Sequence, residues 1–360
     1  MLNSVTKSRN WQYITSMVII FMVLIGVIEV SSSDINESYS ESQKKRVWPD
    51  NLFGVDFVDS KNGWISGYAG TLLRTVNGGD SWELIYIGRN ELIRNIDFVD
   101  TQHGWAVGHR GSIFHTSDGG QTWAIQHNEA GTYLRDISFI DRNTGWVVGH
   151  DATILHTTNG GGTWENQKLT DFKGRDLPRL HGVTAVDQEN ALLVGEFGVI
   201  SATSNGGKTW PVIKNKTRKT LLSVAKVSDH FIAPGVDGTI AHISKGSGGE
   251  YDTQWLKTGT KEHFFAVSSA PNGTAIAVGR SIVVKIVGDT VSELAPDESI
   301  ALPFTWFGGV DALDDGSFWM AGIRGTIAKG VLDQSTFKYE LSICTSDRVQ
   351  SAAGKGRVSL

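Results

Sequence analysis

Three carboxylates recur at similar places in the sequence and could take part in catalysis. Asp151, Glu196 and Asp237 each lie one or two residues after a glycine that ends a short apolar run. Hydrolysis of a glycosidic bond requires two carboxyl groups about 5–10 Å apart, acting as acid and as base or nucleophile. The sequence has no serine nucleophile elbow and no H-E-x-x-H motif. Because a repeated fold brings equivalent residues together by geometry alone, we predict no catalytic residue.

The sequence also lacks a pattern for a resident metal or cofactor. Calcium loops need six to eight oxygen ligands, usually including several carboxylates. Among four similar glycine-rich motifs, only one has a carboxylate, Asp118, where the others have asparagine. The single cysteine, Cys344, can form neither an internal disulfide nor a multi-cysteine zinc site. We therefore expect no metal and no cofactor.

A repeat of roughly 42 residues organises most of the chain and must position these side chains. The sequences TVNGGDSW, TSDGGQTW, TTNGGGTW and TSNGGKTW end at Trp82, Trp123, Trp164 and Trp210. An upstream motif, first seen as GWISG, recurs as apolar runs that end in glycine, from Gly67 to Gly322. Each unit also contains a stretch such as Ile96–Phe98 in which apolar and polar residues alternate, as in a half-buried strand. The period predicts an all-β, seven-bladed β-propeller with four-stranded antiparallel blades over residues 47–345, followed by a C-terminal tail at 346–360.

The glycine-rich motif, S/T-x-D/N-x-G-x-S/T-W, is interpreted as a structural turn, which we call the box. Its asparagine or aspartate can accept hydrogen bonds from backbone N–H groups that follow it. Its tryptophan can bury a large ring against neighbouring strands. The eight residues predicted to have this structural role are Asn77, Trp82, Asp118, Trp123, Asn159, Trp164, Asn205 and Trp210.

The predicted strand order sorts the loops onto two faces. Connections from strand 4 to strand 1 and from strand 2 to strand 3 share one face, here called the top face, and the boxes share the bottom face with the 1–2 turns. Basic residues collect on the top face, with His109, His150 and His181 near them. The predicted partner-binding residues are Arg94, Arg110, Arg135, Arg175, Arg179, Arg218, Arg280 and Arg324. Such a face suits an acidic protein segment, or anionic lipid headgroups if the chain is anchored to a membrane.

The amino terminus predicts export. Lys7 and Arg9 precede an uncharged apolar run at residues 14–28, so residues 1–30 are predicted to be a signal peptide or signal anchor, followed by a polar linker at 31–46. The run is shorter than the roughly 20 residues of a membrane-spanning helix, and it leaves both cleavage and membrane association open. We expect an extracytoplasmic protein, in the periplasm or on the lumen side of a thylakoid. Export and a net charge of −5 argue against nucleic acid as a partner.

The box is similar to the Asp-box, or BNR repeat, of sialidases and several unrelated propellers. Sialidase chemistry uses an arginine cluster, whose first arginine lies in an R-I-P context, and a tyrosine–carboxylate pair. The nearest text in this chain runs from Arg175 to Arg179, RDLPR, and departs from that pattern at its second residue. A sialidase-like, carbohydrate-active propeller therefore remains an alternative to a binding protein.

Over residues 47–344 the chain resembles the photosystem II stability/assembly factor family, most strongly in the segment NIDFVDTQHGWAVGHRGSIFHTSDGGQTW. The resemblance implies a non-enzymatic exported factor that binds a reaction-centre core subunit through an arginine-rich face. Arg94, Arg135, Arg175 and Arg179 are the matching positions here. We predict this function for a monomeric propeller with a protein partner; a general cell-envelope binding propeller is the other alternative.

Overall fold

Alternating apolar and polar residues produce a regular series of antiparallel strands. A computed structural model of the protein describes residues 51–215, 217–294, 305–332, 337–343, 350–351 and 358–359. These residues form seven sheets, which confirms the predicted seven-bladed propeller. The segments 1–30 and 31–46 lie outside the described residues, so the signal and the linker stay predictions. No helix in the described part of the chain is long and apolar enough to span a bilayer.

Blades 1 to 3 each contain four strands in chain order. Blade 1 is formed by β1 (Leu52–Phe57), β2 (Gly63–Gly67), β3 (Thr71–Thr75) and β4 (Glu83–Tyr86). Blade 2 is formed by β5 (Ile93–Phe98), β6 (Gly104–Gly108), β7 (Ser112–Thr116) and β8 (Ala124–Asn128). Blade 3 is formed by β9 (Leu134–Phe139), β10 (Gly145–Gly149), β11 (Ile154–Thr157) and β12 (Glu165–Gln167).

Blade 4 contains three strands, whereas blades 5 to 7 again contain four. Blade 4 has β13 (Leu180–Ala185), β14 (Asn190–Gly195) and β15 (Ile200–Ser204), and blade 5 has β16 (Ala225–Val227), β17 (His230–Pro234), β18 (Ile240–Lys245) and β19 (Tyr251–Trp255). Blade 6 has β20 (Phe264–Ser269), β21 (Thr274–Gly279), β22 (Val283–Val287) and β23 (Thr290–Glu293), and blade 7 has β24 (Phe307–Ala312), β25 (Ser317–Gly322), β26 (Thr326–Leu332) and β27 (Phe337–Ile343). Two short strands, β28 (Gln350–Ser351) and β29 (Val358–Ser359), extend the sheet of blade 1 beyond β4. One-turn 3₁₀ segments connect the second and third strands of blades 1, 4 and 7 at Tyr68–Gly70, Glu196–Gly198 and Ile323–Gly325.

The missing fourth strand of blade 4 has a local cause. Pro211 follows the box of this blade, and proline lacks the N–H group that a strand ladder requires. An isolated bridge between Ser201 and Val212 takes the place of the strand. The Ser201 hydroxyl donates to the Pro211 carbonyl at 2.8 Å. The predicted four-stranded pattern is therefore interrupted in this blade.

Tryptophans of the GW motifs hold neighbouring blades together. Trp64 of β2 stacks on Phe98 of β5 with ring centroids 3.6 Å apart. Its Nε1 donates to the Gly119 carbonyl of the next box at 3.0 Å. Trp105 stacks in the same way on Phe139, one blade further along, at 3.6 Å. Blades 1 and 2 thus each pack an indole ring against the innermost strand of the next blade, where dispersion and burial are both favourable.

The ring closes between the last blade and the first. Trp319 of β25 stacks on Phe57 of β1 with ring centroids 5.3 Å apart. Gly79 lies against the same indole, because a Cβ at this position would be 2.1 Å from Trp319 Cη2. Its φ of +86° also favours glycine. Because the Phe57 N–H donates to Asp311 Oδ2 at 2.9 Å, the closure is both apolar and hydrogen-bonded.

Backbone hydrogen bonds show which connections share a face. The His150 N–H, in the 2–3 connection of blade 3, donates to the Tyr133 carbonyl just before β9 at 2.9 Å. The Gly119 N–H, in the box of blade 2, donates to the Gln102 carbonyl in the 1–2 turn at 2.8 Å. The 4–1 and 2–3 connections therefore lie together on the top face, and the boxes lie with the 1–2 turns on the bottom face.

Candidate functional site

The innermost strands of the blades line an axial cavity of about 290 Å³. In six blades the register of this strand shifts at its second residue, and such bulges re-aim a side chain. The residues at the shifted position all line the cavity near the top face: Phe53, Arg94, Arg135, His181, Phe265 and Gly308. Two of the predicted partner-binding arginines, Arg94 and Arg135, therefore lie within β5 and β9.

One side of the cavity mouth is basic. We call it the basic half, and its residues come from blades 2 to 4. Arg94, Arg135 and His181 line the cavity, and His109, His150 and Arg179 lie close enough to interact with them electrostatically. Arg135 Nε donates to His150 Nε2 at 3.0 Å. Arg179 Nη1 lies 3.6 Å from Glu196 Oε1, and its side chain is 54% exposed. The structure therefore brings three of the eight predicted arginines together.

Burial, followed by the crowding of positive charge, lowers the pKa values in the basic half. Burial in the first place, and then Arg135, lower the pKa of Arg94 to about 10, although Asp136 opposes the shift. Burial and the nearby arginines also lower the pKa of His181 to about 3 and that of His150 to about 4. The pKa of His109 is lowered for the same reasons. Near neutral pH these three imidazoles are therefore uncharged.

The opposite side of the mouth is aromatic. Phe53 lies 5.2 Å from Tyr68 and 5.6 Å from Trp306, measured between ring centroids. Phe265 lies 6.3 Å from Trp306. We call these four residues the aromatic half. The Arg94 guanidinium carbon lies 5.2 Å from the Phe53 ring centroid, so a cation–π contact joins the two halves.

Large apolar side chains also reach solvent on the top face. Tyr133 and Tyr68 are each 43% exposed, Phe197 is 50% exposed, and Leu177 is 57% exposed. Tyr133 lies between two histidines of the basic half, with its ring centroid 4.4 Å from that of His109 and 5.0 Å from that of His150. Solvent-exposed apolar groups beside cations are typical of surfaces that bind another molecule.

Deeper in the cavity the lining includes the carboxylates of Asp56, Asp97 and Asp311. Asp56 accepts from the Phe98 N–H at 2.6 Å, and Asp97 accepts from the Phe139 N–H, so each side chain joins its blade to the next. Burial, followed by mutual repulsion, raises the pKa of Asp56 well above its ordinary value. Burial likewise raises the pKa of Asp97 to about 7 and that of Asp311 to about 6. These residues were not among the sites predicted from the sequence, although Asp56 and Asp97 occupy the polar positions of the alternating strand pattern.

The remaining predicted arginines lie outside the basic half. Arg175 is 90% exposed along its side chain and pairs with Asp176, its neighbour in sequence, at 2.9 Å. Arg280 lies 3.6 Å from Glu262, and the backbone N–H of Arg110 contacts the Glu91 carboxylate at 3.5 Å. The other two members, both exposed, are Arg218 and Arg324.

The three carboxylates that suggested catalysis lie in 2–3 connections, around the top face. Glu196 pairs with Arg179, as described above, and also accepts from its backbone N–H at 3.0 Å. Asp237 lies 3.9 Å from Lys219 and 3.9 Å from His263. Asp151 has a left-handed backbone with φ of +53°. Within the described ranges, no group of three or more histidine, cysteine or acidic side chains could hold a metal ion.

The boxes have a repeated hydrogen-bond pattern. In the second box, the Thr122 N–H donates to Asp118 Oδ1 at 2.9 Å and the Thr122 hydroxyl donates to Oδ2 at 2.6 Å. The Gly120 N–H donates to the Thr116 hydroxyl at 2.9 Å. The other boxes accept the equivalent N–H on Asn77, Asn159 and Asn205. Two of the box tryptophans, Trp82 and Trp210, are buried, whereas Trp123 and Trp164 are partly exposed.

Solved structures share this fold. A structure described as YCF48 bound to D1 peptide is 17% identical, with a TM-score of 0.62 and coverage of 79% of this chain and 93% of that chain. YCF48 from Cyanidioschyzon merolae is 16% identical, with a TM-score of 0.62 and coverage of 78% and 95%. The GH74 enzyme of Niastella koreensis is 11% identical, with a TM-score of 0.61 and coverage of 81% and 54%. At these identities the likeness establishes the fold alone.

The sequence itself identifies the family. No curated protein matches the chain. A family model described as Photosynthesis system II assembly factor YCF48 matches residues 77–272, which contain three complete boxes, all of the basic half and the start of blade 6. Because this match spans more than half of the 360 residues, the chain belongs to the family of YCF48-like photosystem II assembly factors.

Proposed function

We propose that this protein is a non-enzymatic assembly factor that binds an acidic segment of a photosystem reaction-centre subunit on its top face. The observation that carries the proposal is that Arg94 and Arg135 line the axial cavity, with Arg179 close enough to Arg135 to lower its pKa. The family supports an assembly role. The structure of a relative is described as containing a D1 peptide, which supports a reaction-centre subunit as the partner.

The arginines of the basic half are only partly neutralised within the protein. Arg179 has one acidic partner, Glu196, and Arg135 donates its Nε–H to an uncharged imidazole. Repulsion between Arg135 and Arg179 lowers the pKa of Arg135, after the larger effect of burial. An anion placed between them would relieve that repulsion. Charge-assisted hydrogen bonds to carboxylates are stronger than those between neutral groups.

The aromatic half favours a partner segment that also carries an apolar or aromatic side chain. Phe53 and Trp306 lie within contact distance of each other and next to Arg94. A segment that places a carboxylate on the basic half can therefore place an apolar or aromatic side chain on the opposite side of the mouth. Aromatic and arginine side chains together commonly supply most of the binding energy at protein interfaces.

The lack of catalysis is part of the proposal. The axial carboxylates are engaged by backbone N–H groups of neighbouring blades, as Asp56 is by Phe98 and Asp311 by Phe57. We expect no turnover of chromogenic glycosides, sialosides included. Hydrolysis that is abolished by Glu196→Gln or Asp237→Asn would instead support the carbohydrate-active alternative.

A synthetic D1 peptide tests the binding site. We expect the double variant Arg135→Gln/Arg179→Gln to weaken peptide binding at least tenfold, or about 1.4 kcal/mol, in isothermal titration calorimetry. The matched control is Lys61→Gln/Lys208→Gln, which removes the same charge from exposed lysines of the bottom face. Both variants should melt within about 2 °C of the wild type. Equal affinities for both variants would refute the location of the site.

The extracytoplasmic location is proposed on residues 1–30 alone. Basic residues before an apolar run of signal-peptide length support export. Fusing residues 1–46 to a reporter enzyme that is active only outside the cytoplasm tests this prediction. A reporter that stays inactive, while a fusion to an established signal is active, would refute it.

A further inference from the structure

We propose that partner binding at the basic half takes up protons through its histidines, so that affinity rises as pH falls. The inference rests on the proposed function, because it requires an anionic partner at this site. It concerns His150 first, and His181 and His109 as its neighbours around the cavity mouth.

The contact between Arg135 and His150 requires a neutral imidazole. A guanidinium group carries only donors, and it stays charged throughout the range in which proteins fold. Arg135 Nε donates to His150 Nε2 at 3.0 Å, so this nitrogen must have a free lone pair in the unbound protein. Protonation of His150 would place an N–H opposite another N–H. In the unbound protein, both this hydrogen bond and the surrounding positive charge therefore oppose protonation of His150 Nε2.

The charges around the three histidines are mostly positive. His150 faces Arg135, Arg179 and His109, and Asp151 is the acid that opposes them. The charged groups that face His181 are Arg135, Arg94 and Arg179, with His150 also close. His109 faces Arg135 and Arg94, and the Tyr133 ring lies between His109 and His150.

Two other acids lie near the arginines. Glu196 is paired with Arg179, and Asp136 opposes the shift at Arg94. Burial and this excess of cations account for the low pKa of His150, about 4, and of His181, about 3. In the free protein these side chains stay unprotonated well below neutral pH.

A bound carboxylate changes both conditions. It accepts hydrogen bonds from Arg135 and adds a negative charge beside the imidazoles. His150 Nε2 then loses its donor and can take a proton, and as an imidazolium it donates to the same anion. No covalent bond forms in this step; one proton moves from solvent to the complex. Because the bound state holds more protons than the free state, linkage makes binding tighter at lower pH.

The expected effect can be calculated for His150 alone. If the anion restores its pKa to the ordinary value of about 6.5, affinity should increase about 20-fold between pH 7 and pH 5. Contributions from His181 or His109 would make the increase larger.

Calorimetric titration with a sulfonated peptide tests the inference. The probe is the synthetic D1 peptide with each aspartate and glutamate replaced by cysteic acid, because sulfonates stay ionised from pH 5 to pH 8. We expect tighter binding at pH 5, and a binding enthalpy at pH 6 that depends on the ionisation enthalpy of the buffer. His150→Gln should reduce both effects, because glutamine can accept from Arg135 but does not titrate.

The matched control is His263→Gln, on the top face but outside the basic half, which should keep the full pH dependence. Binding at every pH with a constant dissociation constant and no buffer dependence would overturn the inference and leave the proposed function standing. Absence of binding at any pH would overturn the proposed function itself. If His150→Gln does not fold, the buffer dependence of wild-type binding still decides between these outcomes.

Discussion

Replacing Asp97 with asparagine should raise the free energy of unfolding, relative to the wild type, by more at pH 8 than at pH 5. Burial, with repulsion from Asp136 and Asp311, raises the pKa of Asp97 to about 7 in the folded chain. In the unfolded chain its pKa is near the ordinary value of about 3.9. Between these values the folded protein holds a proton that the unfolded chain has released, so stability falls as pH rises. Asparagine keeps an oxygen that can accept from the Phe139 N–H but carries no charge.

The magnitude follows from the same pKa. From pH 5 to about pH 7 the wild type loses about 1.4 kcal/mol per pH unit through this group, or about 3 kcal/mol in all. The variant lacks this loss. The free energy of unfolding in urea, measured for both proteins at pH 5 and pH 8, gives the difference directly. In thermal melts the same effect corresponds to roughly 5 °C for a domain of about 300 residues.

An aspartate of the same blade provides a control of opposite sign. Asp100 lies in the 1–2 turn, where N–H donors from Gln102 and His103, together with Arg142, hold its pKa below the ordinary range despite slight burial. The contribution of Asp100 to the free energy of unfolding is present above its ordinary pKa and is lost as the pH falls. Asp100→Asn should therefore destabilise the protein at pH 8. If the difference in unfolding free energy between Asp97→Asn and the wild type is the same at pH 8 and pH 5, the pKa of Asp97 is not raised in the folded protein.

Two further predictions concern the box. Gly79→Ala should lower the free energy of unfolding in urea by about 3 kcal/mol or more, because its Cβ would overlap Trp319. The control is Gly88→Ala, at a position with a similar φ of +88° but no atom of the described chain within 4 Å of the added Cβ. This control should lose only about 1 kcal/mol. Equal losses would show that the indole contact is unimportant. Asp118→Ala should cost about 1–2 kcal/mol by leaving the Thr122 N–H without its acceptor, whereas Asp118→Asn should stay within about 0.5 kcal/mol. An asparagine variant as unstable as the alanine variant would contradict this interpretation.

The fold could be predicted because its determinants are local and repeated. Seven apolar runs that end in glycine recur at a regular spacing, and the first four units add a box with its tryptophan at a fixed offset. Seven such copies are enough to define a closed ring. The exception in blade 4 arises from Pro211, a single residue whose effect on the ladder is visible in the sequence only once the strand positions are known.

The site was less predictable because it depends on contacts between distant parts of the chain. The side of the propeller on which the arginines lie followed from strand order, but their separation into central and peripheral residues did not. A shift in strand register turns Arg94 and Arg135 toward the axis. The axial carboxylates looked like ordinary polar positions of half-buried strands, because nothing local shows that Asp311 meets Phe57 across 254 residues.

The junction between blades 7 and 1 also constrains the order of folding. Phe57 and Gly79 leave the ribosome early, whereas Asp311 and Trp319 are synthesised near the end of the chain. The exposed flank of the first blade must therefore wait for the last one, and the high sequence separation makes this step slow compared with hairpin formation. A nascent or truncated chain that ends before β25 would lack the Trp319 ring that stacks on Phe57. It would expose an apolar surface that chaperones or proteases can recognise.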